Sequence, residues 1–438
     1  MRRAASQPEF ARRRRQLMRI MGRDGIAIVP AAPVRHRNSD VEYPYRQDSD
    51  FHYLTGFGEP DSVAVLVPGR AAAEYILFVR DRDPERETWD GRRAGPGGAV
   101  ERYAADDAFP ISDMDEILPG LLENRERVYY AMGTHPEFDQ RVLGWLQGLR
   151  NQARNGKHPP QEMIALDHVL HDMRLYKSRV ELGLMRESAR IAAAAQLRAM
   201  RHCRPGRYEY EIAAELLHEY RRHNADASYQ PICGGGANSC ILHYRENDAP
   251  LRDGDLLLVD AGCEYQYYAS DITRTYPVNG RFTAAQRDVY EVVLEAQRAA
   301  IAKVKPGNHW NQPHDAAVQA VTHGLVSIGL LKGRVAKLIR DGAYRRFFMH
   351  RTGHWLGLDV HDVGDYKVGE EWRVLEPGMA MTVEPGIYIP AGSRGVPKRF
   401  WNCGIRVEDD VVVTAEGCEV LTDDVPRTPD EIEAVMAA

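Results

Sequence analysis

The stretch Leu251-Arg-Asp-Gly254-Asp-Leu-Leu-Leu-Val259-Asp260-Ala-Gly262 decides the fold of the second half of this chain, because its pattern occurs twice. Leu375-Glu-Pro-Gly378-Met-Ala-Met-Thr-Val383-Glu384-Pro-Gly386 lays over it as L-x-x-G-x-x-x-x-V-[D/E]-x-G. Each copy reads as a turn, a short buried strand, then an acid and a glycine. An acid closing an apolar strand is costly to bury unless it is paired or bound to metal. The repeat therefore predicts a pseudo-twofold domain, with Asp260 and Glu384 contributed by equivalent strands of its two halves.

More chemistry lies on either side of the two copies. Asp271 follows Asp260 by 11 residues. The segment Glu264–Tyr268 and the run Ile272–Val278 can pair hairpin-fashion with the strand ending at Asp260. That pairing would bring both acids to one face of a sheet. Beyond the second copy, Gly404-Ile-Arg406-Val-Glu408 alternates, with Ile405 and Val407 on one face and Arg406 and Glu408 on the other. Arg406 can then hold a neighbouring carboxylate, the alternative being an exposed ion pair worth little. Met349-His350-Arg-Thr-Gly-His354-Trp-Leu-Gly-Leu-Asp-Val-His361-Asp is the densest run of imidazoles. No Glu follows His350, so this is not the H-E-x-x-H zinc helix, and Gly353 and Gly357 argue against a helix at all. His243, in Ile241-Leu-His243-Tyr, is either a satisfied core histidine or a further site residue.

Asp260, Asp271, His354, Glu384 and Glu408 form a plausible ligand set for two divalent ions about 3.5–4 Å apart, the arrangement of two-metal hydrolases. Two such cations carry +4 and four carboxylates carry −4, which leaves room for one bridging hydroxide. Oxygen-rich ligands with one imidazole and no sulfur favour Mn(II), with Co(II), Mg(II) or a carboxylate-rich Zn(II) pair behind it.

At 438 residues and 44% hydrophobic content, the chain can build two domains. Residues 1–173 alternate short apolar runs with helical stretches. Gly25–Val29, Val63–Val67, Tyr75–Val79 and Val128–Met132 read as strands of a small α/β domain. Residues 174–438 read as α+β. Their first helix opens at the capping box Ser178/Glu181. Others run from about Tyr208 to Arg222, from Thr283 to about Val304, and from about Pro313 to Ile328; the rest is strand-like. Cys233-Gly-Gly-Gly236 lacks the trailing Gly-Lys-Ser/Thr of a phosphate loop and reads as a flexible turn. Arg12–Arg15 reads as the solvated face of an opening helix, with Phe10, Leu17, Met18 and Met21 beneath it.

A net charge of −6 argues against a nucleic-acid footprint. No apolar run approaches the roughly 18 residues of a membrane span, and the first 30 residues lack the core of a signal peptide. Six cysteines without a C-x-x-C pair fit reduced thiols and a cytoplasmic location.

The segments Asp260-Ala-Gly, Asp271-Ile-Thr-Arg-Thr, His350…His354-Trp-Leu-Gly-Leu-Asp-Val-His361-Asp, Thr382-Val-Glu384-Pro-Gly and Ile405-Arg-Val-Glu408-Asp closely resemble bacterial aminopeptidase P, the Xaa-Pro aminopeptidase family. Asn38-Ser-Asp-Val-Glu-Tyr-Pro-Tyr-Arg-Gln-Asp-Ser-Asp-Phe and Trp89-Asp-Gly-Arg-Arg extend the resemblance into the first half. It implies a pita-bread catalytic domain behind an N-terminal specificity and oligomerisation domain, and a dinuclear manganese site on the five residues above. It implies supporting roles for His243, His350, His361 and Arg406. The expected reaction is release of the N-terminal residue from peptides with proline second, by a metal-bridging hydroxide with Glu384 as general base. The resemblance also implies dimers or tetramers in which Trp89–Arg93 reach a neighbouring active site. The nearest alternative is a prolidase confined to Xaa-Pro dipeptides. Methionine aminopeptidase shares the ligands but needs no first domain, and a metal-free creatinase-like relative should lack some of them.

Overall fold

The computed structural model describes residues 6–438; the first five residues of the expected N-terminal domain lie outside them. The chain divides into two compact units between Met173 and Arg174.

The first unit is built on a six-stranded mixed sheet in the order β4-β3-β2-β1-β5-β6. Its strands are β1 (Gly25–Pro30), β2 (Val63–Leu66), β3 (Tyr75–Val79), β4 (Asp107–Pro110), β5 (Arg127–Tyr129) and β6 (Glu162–Ile164). Nearly every residue of β1, β2 and β3 is buried, so they read as continuous apolar runs. The short strands β4 and β6 were not expected; β6 is largely exposed and carries no apolar run. Helix α1 (Gln7–Met21) corrects the expectation for Arg12–Arg15. Arg12 and Arg15 are exposed, but Arg13 and Arg14 are buried. They donate to the carbonyls of Tyr53 and Leu54 at 3.1 and 2.8 Å. Those carbonyls close the helix Ser49–Thr55, whose C-terminal end attracts cations.

The second unit opens with α2 (Arg179–His202), capped reciprocally by Ser178 and Glu181 as its sequence predicts. Helices α3 (Glu209–Arg222), α4 (Ala284–Ile301) and α5 (Asn311–Ser327) follow where their patterns place them. Val335–Arg340 and Pro429–Ala437 are also helical, in segments that read as strand-like. Strand β8 (Leu256–Asp260) is buried throughout and lies between β7 (Ile232–Gly235) and β9 (Thr273–Pro277). Cys233-Gly-Gly is therefore strand, not a flexible turn. A Cβ on Gly234 would sit 2.9 Å from the Asn238 backbone, which explains the glycine. The run Ile272–Val278 pairs with β8 as expected, Asp260 opposite Thr273. Glu264–Tyr268 does not: it folds into a separate hairpin that pairs with Asp226–Ala227.

The second copy of the repeat forms the edge strand β10 (Ala380–Val383), which pairs with β13 (Asp409–Val413), with β14 (Cys418–Val420) on the far side of β13. Val383 pairs with Asp409, which sets Glu408 opposite Glu384. In the first half the residue opposite Asp260 is Thr273, and Asp271 lies two positions back. The halves thus share a strand pair ending on an acid, but not the placement of the second acid. Strands β11 (Gly386–Ile389) and β12 (Cys403–Arg406) form a hairpin-like pair between them. The halves are tied where the Glu408 amide donates to the Thr273 carbonyl at 3.0 Å.

Beneath that junction Arg274 and Asp409 form an ion pair at 2.8 Å with no exposure of either side chain. Arg274 also donates to the carbonyls of Thr273 and Glu408, and Asp409 accepts from Gln297 and Thr422. Removing one partner leaves a buried charge uncompensated. Asp409→Ala should therefore lower unfolding stability by about 3–5 kcal/mol, read from the midpoint of a denaturant titration.

Candidate metal centre

Strand register delivers Asp260, Asp271 and Glu408 to the junction of the two halves, all three buried. A third segment brings in the imidazole. Residues 352–356 lie antiparallel against β10: Thr382 donates to the His354 carbonyl at 3.0 Å and Glu384 to the Thr352 carbonyl at 2.9 Å. Gly353 permits this approach, since a Cβ there would stand 2.1 Å from the Thr382 carbonyl oxygen. No helix forms in this run, as its glycines predict.

The side chains converge. His354 Nε2 lies 3.4 Å from Asp271 Oδ2 and 3.9 Å from Glu384 Oε1. One donor atom from each of Asp271, His354 and Glu408 falls within 4.8 Å of the others. Asp260 joins them through the Tyr229 hydroxyl, which contacts both Asp260 and Asp271. His354 Nδ1 is 2.9 Å from the Trp355 carbonyl. A carbonyl only accepts, so Nδ1 carries a proton and Nε2 turns toward the acids, the orientation a metal-binding imidazole needs.

The electrostatics match the donor set. Burial raises the carboxyl of Asp260 against the opposing pull of Arg406. Burial also raises Glu384 to about 7, with His354 and Arg406 opposing and Asp271 and Asp260 adding to the rise. Glu408 is held far above the carboxylate range by burial and by its acidic neighbours. For His354 burial works downward, but the hydrogen bond to Asp271 and the charge of Glu384 win and lift it to about 9. Fully ionised, the four carboxyls would carry more negative charge than Arg406 and His354 neutralise, and in this water-poor space Asp260, Glu384 and Glu408 hold their protons more tightly instead. Divalent cations remove that deficit, so these residues fit a two-cation centre.

Arg406 is buried, which excludes an exposed ion pair. Its guanidinium contacts Asp260 through Nη2, Tyr388 Oη at 2.9 Å and Thr273 Oγ1 at 3.0 Å. Tyr388 Oη lies 2.9 Å from His350 Nε2, and His350 Nδ1 lies 2.6 Å from the Arg351 carbonyl. Arg406, Tyr388 and His350 therefore form one polarised chain leading away from Asp260. Burial, aided by Arg406, pushes His350 down to about 3, so it is neutral. The His361 ring packs edge-on against His354 with centroids 4.4 Å apart. Burial lowers its pKa, with His354 next. His243 is exposed, not a core histidine, and its imidazole adds to what depresses both His350 and His361. Tyr229 and Tyr388 sit in no motif, and Thr273, though within Asp271-Ile-Thr-Arg-Thr, carries no signal of its own; only the folded register brings these three hydroxyls to the acids and Arg406.

Protons on Glu384 and His354 compete with cations. Divalent-metal affinity of chelator-stripped protein should therefore rise as pH increases from about 6 to about 9, with protons released on binding. Calorimetric titration of Mn(II) at several pH values checks this; equal affinity across the range would contradict it.

Residues 183–415 match metallopeptidase family M24, and residues 10–129 match the aminopeptidase P N-terminal domain. The chain is 47% identical over 435 residues to the Xaa-Pro aminopeptidase of Escherichia coli, covering 99% of this chain and 98% of that protein. It is similar to the solved Pseudomonas aeruginosa aminopeptidase PepP, with 59% identity, a TM-score of 0.99 and coverage of 100% and 99%. A zinc-substituted E. coli aminopeptidase P in complex with product superposes with a TM-score of 0.96 at 46% identity, covering 99% of each chain.

Proposed function

The chain belongs to metallopeptidase family M24, and from that premise we propose that it is an Xaa-Pro aminopeptidase whose general base is Glu384. The observation that carries this is the convergence of Asp271, His354 and Glu408, with Glu384 and Asp260 beside them, in a chain matching such enzymes over nearly its whole length. The same near-complete match, first domain included, favours the aminopeptidase over a prolidase.

Asp260, Asp271, His354, Glu384 and Glu408 would hold two cations, which when bound would polarise the scissile carbonyl and acidify an attacking water. Glu384 takes the proton of that water and passes it to the leaving proline nitrogen. A carboxyl lifted to about 7 by its surroundings suits that exchange near neutral pH. His361, beside His354, donates to the oxyanion as it develops. Asp271 holds the free α-amine, which restricts attack to the first residue. His350 and His243 line the proline side, and Arg406 fixes Asp260 and, through Tyr388, His350. A bond to proline has no N–H, so a site without an acceptor for one prefers it.

Manganese is the proposed metal, supported by the oxygen-rich donor set. A cytoplasmic location is supported by six free cysteines, and no helix among the described residues is long and apolar enough to cross a membrane. Assembly into dimers or tetramers is supported by Trp89, 87% exposed on the helix Pro84–Asp90.

Glu384→Gln should lower kcat by about 100- to 10,000-fold in folded, metal-loaded protein; wild-type kcat would remove Glu384 from this role. With Mn(II) present, Xaa-Pro-Yaa peptides should be cleaved faster than Xaa-Pro dipeptides, and Xaa-Ala-Yaa hardly at all. Cleavage of dipeptides alone would establish the prolidase instead.

A further inference from the structure

His361 makes no hydrogen bond among the described residues, although its ring rests on His354. Its direction is therefore set by the backbone of the loop that carries it, and that loop is held by charge. Asp362, the next residue, accepts from Arg174 Nη2 at 2.6 Å and from Lys177 Nζ at 2.9 Å. Arg174 also reaches Asp359 at 2.7 Å. Side-chain exposure is 3% for Arg174 and 1% each for Lys177 and Asp362. The two cations hold Asp362 ionised despite the opposing effect of burial. The backbone closes around the cluster: Asp362 donates to the Trp355 carbonyl at 2.9 Å, and Gly357 to Asp359 at 3.1 Å. A Cβ on Gly357 would stand 2.1 Å from Asp362 Oδ2. Buried ion clusters of this kind are weak sources of stability, and in some proteins their role is to fix geometry.

We propose that Arg174, Lys177 and Asp362 are positioning residues for the reaction, a clamp by which the first turn of chain entering the catalytic unit aims His361 at the scissile carbonyl. The proposal rests on the role given to His361 above. A group that acts on the developing oxyanion changes kcat far more than KM, and misplacement by about 1 Å can cost about 100-fold. Loosening the clamp should reproduce the loss of His361 without touching substrate.

Asp362→Ala removes the buried ion partner of Lys177 and is a poor probe, so the test uses Lys177→Met and Gly357→Ala, each alone and combined with His361→Ala. Steady-state kinetics would be read on an Xaa-Pro-Yaa peptide in folded, metal-loaded protein. Each single variant should lower kcat by about 10- to 100-fold with KM little changed, while the combined variants should be no slower than His361→Ala alone. Lys177→Arg, which keeps the cation, should recover most of the loss. Losses that multiply in the combined variants, or wild-type kcat in both single variants, would overturn the clamp. Wild-type kcat in His361→Ala alone would instead overturn the role of His361.

Discussion

Four carboxylates driven into one water-poor space are the constraint on which this structure depends. Asp260, Asp271, Glu384 and Glu408 crowd together, and burial penalises the charges of Asp260, Glu384 and Glu408. Among the described residues, Arg406 and His354 are the cations that answer them. The fold spends strand register, a glycine contact and a buried ion pair on holding the group together. Such an arrangement is stable in function only if cations complete it.

The geometry follows from two strand pairs that meet where Glu408 and Thr273 touch. In each, an apolar strand ends at an acid and its antiparallel partner supplies a second. The junction is fixed by the Glu408 amide on the Thr273 carbonyl and by Arg274, which grips the carbonyls on either side of it. The imidazole arrives on neither strand pair. It comes on a glycine-bearing segment laid against β10, which places His354 between Asp271 and Glu384. The proposed hydrolysis of a bond to proline then needs a base, the role proposed for Glu384, and a donor to the oxyanion, the role proposed for His361.

Much of this was legible in the sequence because the repeat carries its own physics. A run such as Leu256–Val259 followed by an acid cannot be solvated surface, and seeing it twice marks both strands and their symmetry. The capping box at Ser178 marks a helix start for an equally local reason. What stayed hidden depends on partners far along the chain. Arg13 and Arg14 look like surface charge until the carbonyls of Tyr53 and Leu54 appear. Glu264–Tyr268 has the same alternation whether it joins β8 or forms its own hairpin. Tyr229 and Tyr388 are ordinary tyrosines until register brings them to Asp260 and Arg406. The five proposed ligands could be singled out because their chemistry is rare in apolar surroundings; their supporting hydroxyls could not.

The central claim is that these five side chains hold two cations as one unit. Anomalous diffraction from crystals of the manganese-loaded protein tests it most directly. The account predicts two peaks about 3.5–4 Å apart, enclosed by Asp260, Asp271, His354, Glu384 and Glu408. A single peak, or manganese bound elsewhere with these carboxylates left unligated, would contradict it.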